Sequence, residues 1–338
     1  MTRYLGVDLH KNMFMVCFFE TENNYFFKNY RLEQVEIFKK ELKSTDVVGV
    51  EATTNTKYFV KQIEDKGVRI KVLNPLQFKV ITKSTKKTDK NDAYTISYFL
   101  SRELVPEVRM KKTKYSEIES LANTRDKLVK LRTALKNKIH NILSSQGIIT
   151  KKECMSSEKG LQAILKYEVS KVAKFELDVI VEQIRCLNTS IGKLDKELEN
   201  SGKGLDGFEN ITSIKGIGGK SGSILLSVIG DVNDFKNEKK LASYFGIVPR
   251  VEISNETVRY GRITKKGCKL GRTTLVQCTL VAIKYSSYLR NFYDKINHKK
   301  GNSGKAIIAT AKKLLGIIYH TLKNRWIFED FGEFLLKS

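Results

Sequence analysis

Two apolar runs in this chain each end in an acid: Tyr4-Leu5-Gly6-Val7-Asp8 and Val47-Val48-Gly49-Val50-Glu51. Short runs rich in β-branched residues predict buried strands, and an unpaired carboxylate at the end of such a strand is expensive. Two further acids, Asp89 and Asp92, stand three residues apart in Lys86-Lys87-Thr88-Asp89-Lys90-Asn91-Asp92-Ala93, where a helix is predicted to begin. At that spacing they share one helix face. Surface charge balance does not call for these acids, because the chain carries 61 Lys+Arg against 37 Asp+Glu. Carboxylates gathered at strand ends suit a hard divalent cation, which takes oxygen ligands and keeps part of its water shell. Asp8, Glu51, Asp89 and Asp92 are therefore the candidate ligands of Mg²⁺ or Mn²⁺, poised to act on a polyanion.

The charge supports that polyanion. A net charge of +24 and a pI near 9.7 create a field suited to phosphate contacts. No apolar run approaches the ~20 residues of a membrane span, and no signal peptide opens the sequence. The expectation is a cytoplasmic, nucleoid-associated protein with no membrane partner. Cys17, Cys154, Cys186, Cys268 and Cys278 are odd in number, scattered and without CxxC spacing, which argues against a disulfide framework or a zinc site.

Residues 3–8, 13–20 and 25–30 read as a meander of three strands, followed by helix 32–43, strand 46–51, helix 56–66, strand 68–73 and helix 76–82. The order βββαβαβα is similar to that of the RNase H-like fold. That fold sets one acid on its first strand, one near the end of the fourth and others on a late helix, and the four acids fall on those elements in turn.

From Ser116 the pattern changes. Leu121, Leu128, Leu135 and Ile142 recur every seven residues, and Leu177, Ile180, Ile184, Leu187, Ile191, Leu194 and Leu198 alternate by three and four, as in a coiled-coil seam. The expectation is a helical arm that dimerises, with an internal bundle as the alternative. Ser201-Gly202-Lys203-Gly204 reads as a linker. Ile214-Lys215-Gly216-Ile217-Gly218-Gly219-Lys220 then reads as the hairpin of a helix-hairpin-helix element, whose glycines let backbone N–H groups approach a phosphate. A P-loop is excluded, since Ile214 stands where that motif needs its first glycine. Beyond Pro249 come a polar insertion, a basic segment from Arg259 to Gly267, and helices over 268–284 and 304–323. The domains expected are 1–112, 113–203 and 204–338.

Gly6-Val7-Asp8-Leu9-His10-Lys11, Val50-Glu51-Ala52-Thr53 and Lys87-Thr88-Asp89-x-x-Asp92-Ala93 resemble the DEDD transposases of bacterial insertion sequences, the insertion-sequence one-ten class related to the Piv invertase. The second half is similar as well, through Phe245-Gly246-Ile247-Val248-Pro249-Arg250 and Gly261-Arg262-Ile263-Thr264-Lys265-Lys266-Gly267. The resemblance implies a RuvC-like (RNase H-like) first domain, a coiled-coil arm and a mainly helical transposase domain carrying a nucleophilic serine. It also implies a structured guide (bridge) RNA that pairs with donor and target DNA. Carried over by position, Asp8, Glu51, Asp89 and Asp92 would hold the metal and Ser254 would be the nucleophile. Ile253 and Asn255 replace the usual neighbours of that serine.

Lys11, Lys86, Lys87, Gly216, Gly218, Lys220, Arg250, Arg259, Arg262, Lys265 and Lys266 are the candidate nucleic-acid contacts. Tyr260 is a rival nucleophile, and His10 and His140 read as loop and helix-surface residues rather than ligands. The expected activity is that of a recombinase working as a dimer or tetramer, in which the acids of one subunit complete a site around Ser254 of another. Two rivals differ in class: a RuvC-like structure-selective nuclease, which needs no serine, and a non-catalytic nucleic-acid-binding regulator.

Overall fold

The computed structural model describes residues 2–81, 88–151, 155–254 and 257–329. The chain divides into two compact units, Met1–Met110 and Lys111–Ser338.

The first unit is built on a five-stranded mixed sheet. Its elements are β1 (Tyr4–Leu9), β2 (Met13–Thr21), β3 (Asn24–Arg31), α1 (Val35–Glu41), β4 (Val47–Glu51), α2 (Thr56–Ile63), β5 (Arg69–Leu73), α3 (Pro75–Ile81) and α4 (Asp89–Ser101). The strands lie in the order β3-β2-β1-β4-β5, with β1–β2 and β2–β3 antiparallel and β1–β4 and β4–β5 parallel. Both faces of the sheet are covered, so its central strands read as near-continuous apolar runs. On β2, Phe14, Val16 and Phe18 join one core with Phe38 of α1 and Phe59 of α2, while Cys17 and Phe19 face Ala93 of α4. Each strand falls within a residue or two of its expected span.

The second unit is helical apart from one hairpin. It comprises α5 (Thr113–Ser145), α6 (Glu158–Ile164), α7 (Lys171–Lys203), α8 (Phe208–Thr212), α9 (Gly219–Ile229), α10 (Glu238–Tyr244), β6 (Pro249–Ser254), β7 (Thr257–Ile263), α11 (Lys269–Tyr285), α12 (Ser287–Lys300) and α13 (Ser303–Asn324). Every residue of α9 from Gly222 to Ile229 is buried, which marks it as the central helix of the bundle. Around it pack Ile118 of α5, Leu198 of α7, Leu275 of α11 and Ile318 of α13.

Several expectations need correction here. The α7 stripe does not wait for another chain: Leu177, Ile184 and Leu198 are fully buried within this one. Ile184 and Leu177 share a core with Ile139 and Leu143 of α5, so the two long helices pair with each other. Residues 201–203 form the last turn of α7 instead of a linker. A Cβ on Gly202 would stand 1.7 Å from Ser223 Oγ, so the glycine is there to let α9 approach. The polar insertion after Pro249 is a β-hairpin, and α12 occupies a stretch left between the two expected C-terminal helices. Both long helices and the last helical bundle lie in the second compact unit.

Ile184→Ala removes apolar volume from a fully buried contact between α5 and α7, and should lower stability by about 2–5 kcal/mol. Thermal melting reads the loss, and the sedimentation coefficient of the folded variant should not change.

Candidate metal centre and nucleic-acid interface

Strand alternation places Gly6 and Asp8 on one face of β1, and Gly49 and Glu51 on the same face of β4. That face carries α4. A Cβ on Gly6 would lie 2.1 Å from the Ala93 carbonyl oxygen and 2.5 Å from the Ser97 nitrogen. A Cβ on Gly49 would lie 3.0 Å from side-chain carbons of Ile96 and Leu100. The glycines therefore let α4 rest on the two strands, and the acids two residues further on emerge where the helix begins. Thr88 caps that beginning, its hydroxyl accepting from the Asn91 N–H at 3.2 Å, so Asp89 and Asp92 both fall in the first turn. The positive end of the helix dipole eases the cost of two acids there.

The four acids feel one another. Burial pushes the Asp8 carboxyl above its ordinary range; His10 opposes this, and repulsion from Asp92 and Asp89 adds to it. Burial likewise raises Glu51, with Asp8 and Asp92 pushing the same way and Lys79 of α3 opposing them. His10, in the turn after β1, is the site residue that sequence reasoning set aside. Its Nε2 lies 3.1 Å from Asp8 Oδ2 and 3.4 Å from Asp89 Oδ1, and these three residues bring their ligand atoms within 4.8 Å of one another. The run Asp8-Leu9-His10 held the signal, since a tight turn returns the imidazole toward the end of its own strand. Two half-buried and two exposed carboxylates that repel one another, with one imidazole beside them, fit a divalent cation.

The second cluster lies on the β6–β7 ribbon. The two family-like motifs of the second half flank it, the first reaching Arg250 in β6 and the second beginning at Gly261 in β7; between them Val251 pairs with Tyr260, Ile253 with Val258 and Ser254 with Thr257. Alternation puts Glu252, Ser254, Thr257, Arg259 and Gly261 on one face, and Val251, Ile253, Val258 and Tyr260 on the other. Arg250 joins the first face, its Cβ 3.5 Å from where a Gly261 Cβ would be. Ser254 is exposed at the end of β6, and Arg250, Arg259, Arg262, Lys265 and Lys266 are all exposed. The base of the ribbon is tightly made. The Thr264 N–H donates to the Val248 carbonyl at 2.9 Å and the Lys265 N–H to the Gly246 carbonyl at 3.1 Å. Gly267, at φ 131°, lies so close to the Tyr244 carbonyl that a Cβ would stand 2.1 Å from it.

Other candidates fall differently. Gly216 has φ 106° and is pressed against the Ala282 backbone of α11, whereas Gly218, at the N-cap of α9, has open space where a Cβ would be. Lys220 is partnered, its Nζ 3.1 Å from Asp195 Oδ2, and Arg125 pairs with the same carboxylate. Burial alone would raise Asp195, but the two cations outweigh it and hold the carboxyl below its usual range. Lys11 is exposed in the turn after β1. Lys86, Lys87 and Asn255 lie outside the described residues.

Comparison with known proteins points to one class of enzyme. Residues 5–147 match the profile of the DEDD transposases, and residues 208–294 that of the transposase IS116/IS110/IS902 family. The chain is 26% identical over 328 residues to the transposase for insertion sequence element IS1111A of Coxiella burnetii, covering 95% of this chain and 89% of that one. It is 24% identical to a probable family 20 transposase of Pseudomonas aeruginosa, over 80% of this chain and 81% of that one. It is also 26% identical to the pilin gene-inverting protein of Moraxella lacunata, over 96% and 97%. A mixed-sheet unit and a helical unit, each matched by a transposase profile, mark an enzyme of the transposase class. The chain belongs to the DEDD transposases of the insertion-sequence one-ten class. No described helix is long and apolar enough to cross a membrane.

Because burial and like charge both raise Asp8, its ionised form weakens the metal-free fold. Asp8→Asn should therefore melt higher than the parent protein in chelator at neutral pH. The advantage should shrink as pH falls through the raised Asp8 pKa, where the parent carboxyl also becomes neutral. Differential scanning calorimetry at the two pH values checks the sign.

Proposed function

We propose that the first unit is an RNase H-like (RuvC-like) domain and that the protein cuts and rejoins DNA as a transposase or site-specific recombinase. The relatives' names supply the reaction class. The observation that carries the reading is Ser254, exposed on the same ribbon face as Arg250 and Arg259, within the stretch 208–294 that matches the family. Tyr260, the rival nucleophile, points to the opposite face among Val251, Ile253 and Val258.

In this reading Asp8, Glu51, Asp89 and Asp92 would hold Mg²⁺ or Mn²⁺, with His10 within reach as a nitrogen donor. When bound, such an ion polarises a phosphate and lowers the cost of charge on its oxygens. The Ser254 hydroxyl forms a bond to phosphorus as the bond from phosphorus to the leaving sugar oxygen breaks. The serine gives up its proton and the departing oxygen takes one, so the step is balanced. Attack by another sugar hydroxyl on the phosphoserine rejoins the strand and restores the serine. Each phosphodiester is exchanged for another, and no external nucleotide is needed. Arg250 and Arg259 offset the charge that builds on the attacked phosphate. A serine hydroxyl needs such help to react.

Donor and target DNA and a structured guide RNA are the partners in this reading. Support for the guide is the family resemblance together with the five exposed cations of the ribbon and its base. The reading also keeps residues 113–203 as an arm and the protein as a homo-oligomer. Since the buried stripe of α7 is used by α5, the surface left for another chain is Val172, Phe175 and Val179, which recur at helical spacing and are 73%, 71% and 45% exposed. Phe175→Glu should shift a dimer or tetramer toward monomer by sedimentation velocity without lowering the melting temperature. An unchanged profile would remove the arm from the interface.

The nuclease reading predicts free ends and no protein–DNA link. Ser254→Ala should retain DNA binding yet yield no covalent adduct on a nicked suicide substrate, whereas Tyr260→Phe should still form one. Mass spectrometry of the trapped adduct decides, and cleavage without any adduct would favour the nuclease.

A further inference from the structure

A second concave site lies well away from the ribbon in sequence, between α12, α13 and the segment that follows α13. The cavity measures about 530 Å³, within the ~300–1,000 Å³ of small-ligand sites. Its walls carry Tyr288 and Phe292 of α12, Lys312 and Lys313 of α13, and Trp326 and Phe328 beyond it. Tyr288 and Phe292 are four apart and share a helix face. Lys313 Nζ lies 5.4 Å from the centre of the Tyr288 ring.

The segment that brings Trp326 to this cavity is fixed by the backbone. Arg325 takes φ 56°, a left-handed cap that ends α13 and turns the chain back. The Trp326 N–H donates to the Thr321 carbonyl at 3.0 Å, and its own carbonyl accepts from Asn210 Nδ2 at 2.9 Å. Two residues on, the Phe328 N–H donates to Ser213 Oγ at 2.7 Å. A polar end is also built in. Gly316 leaves room for the Glu238 carboxylate, since a Cβ there would lie 2.7 Å from Glu238 Oε2. His320 Nε2 stands 3.4 Å from the same oxygen. An indole 57% exposed at the wall of a cavity that also holds Tyr288, Phe292 and Phe328 is an unusual surface choice.

We infer that this cavity receives one unpaired base of a nucleic-acid strand. Aromatic side chains supply stacking surface, worth about 1–3 kcal/mol per base. Lys312 and Lys313 supply the cations that the flanking phosphate requires. The Glu238 carboxylate accepts from an exocyclic amine, which favours adenine or cytosine over thymine or uracil. A paired base has both faces stacked and its edge occupied, so the site selects single-stranded or looped positions. The inference takes from the proposed function only the class of ligand; its test reads binding at Trp326 and is independent of strand exchange.

Trp326 is the single tryptophan of the chain, so its emission reports this cavity alone. The full-length protein is titrated with five-nucleotide oligoadenylate and oligothymidylate as DNA, and with oligoadenylate and oligouridylate as RNA. Anisotropy of the end-labelled strand is followed in parallel. Saturable quenching is expected, with the adenylate midpoint below the thymidylate or uridylate one. Whichever adenylate quenches at the lower midpoint, DNA or RNA, identifies the strand that supplies the base. Lys312 is exposed, so Lys312→Glu should fold normally and raise the midpoint about tenfold. Phe292→Leu, which keeps apolar volume but removes a stacking ring, should also raise it. Binding seen by anisotropy with no change in Trp326 emission would overturn the inference. So would midpoints unmoved by both substitutions, or equal midpoints for adenylate and for thymidylate or uridylate.

Discussion

The first unit depends on the close approach of α4 to β1 and β4. Helix backbone reaches strand backbone only where neither strand has a side chain in the way, and Gly6 and Gly49 create that gap at adjacent positions of paired parallel strands. Ala93, Ile96, Ser97 and Leu100 of α4 are consequently buried. The same register decides where the charges go. With the glycines fixed under the helix, period-two alternation leaves Asp8 and Glu51 on the helix side, at the ends of their strands, next to the first turn that carries Asp89 and Asp92. A residue with a side chain at Gly6 would push α4 outward and carry two of the four acids with it. Folding and site geometry therefore rest on one contact.

The ribbon obeys a different economy. A two-stranded hairpin is marginal by itself in water, and every described residue from Pro249 to Arg262 is exposed. Its order comes from the base, where Gly246 and Gly267 permit backbone approach and Arg272 Nη1 donates to the Phe245 carbonyl at 2.9 Å. Ser254 sits at the far end from those anchors. Local stability should fall along the ribbon toward the serine. If Ser254 is the nucleophile proposed above, it gains its final geometry from what it binds.

Much of the first unit was legible in the sequence because both signals are local. Period-two patterning locates strands, and an acid at a strand end is conspicuous in a basic chain. The glycines Gly6 and Gly49 stood in the same motifs, two residues before each acid, but their role needs the helix that covers them. The second unit was harder for stated reasons. The apolar stripe of α7 looks the same whether α5 or another chain covers it, and only tertiary contact decides. Gly202 resembles a linker residue until Ser223 is seen against it. Ile253, Val258 and Tyr260 alternate with polar residues, yet the charged residues among them, Glu252, Arg259 and Arg262, hid a hairpin. His10 carried no periodic signal at all, since its place is set by a turn.

Charge is likewise divided between structure and surface. Arg125 and Lys220 are spent on Asp195, tying α5, α9 and α7 together, and Arg3 is bound to Asp46 at 2.7 Å where β1 and β4 begin. Such cations are already neutralised and release few counterions when a polyanion arrives. The cations of the ribbon and its base are exposed in sequence order on and beside the strands that carry Ser254. Net charge alone therefore overstates how evenly the surface attracts phosphate. The attraction is strongest where cations lack partners and stand close together, and along the described chain the ribbon is such a place. A phosphate drawn to the serine face meets Arg250 and Arg259, while strand alternation sends Arg262 to the opposite face beside Val258 and Tyr260.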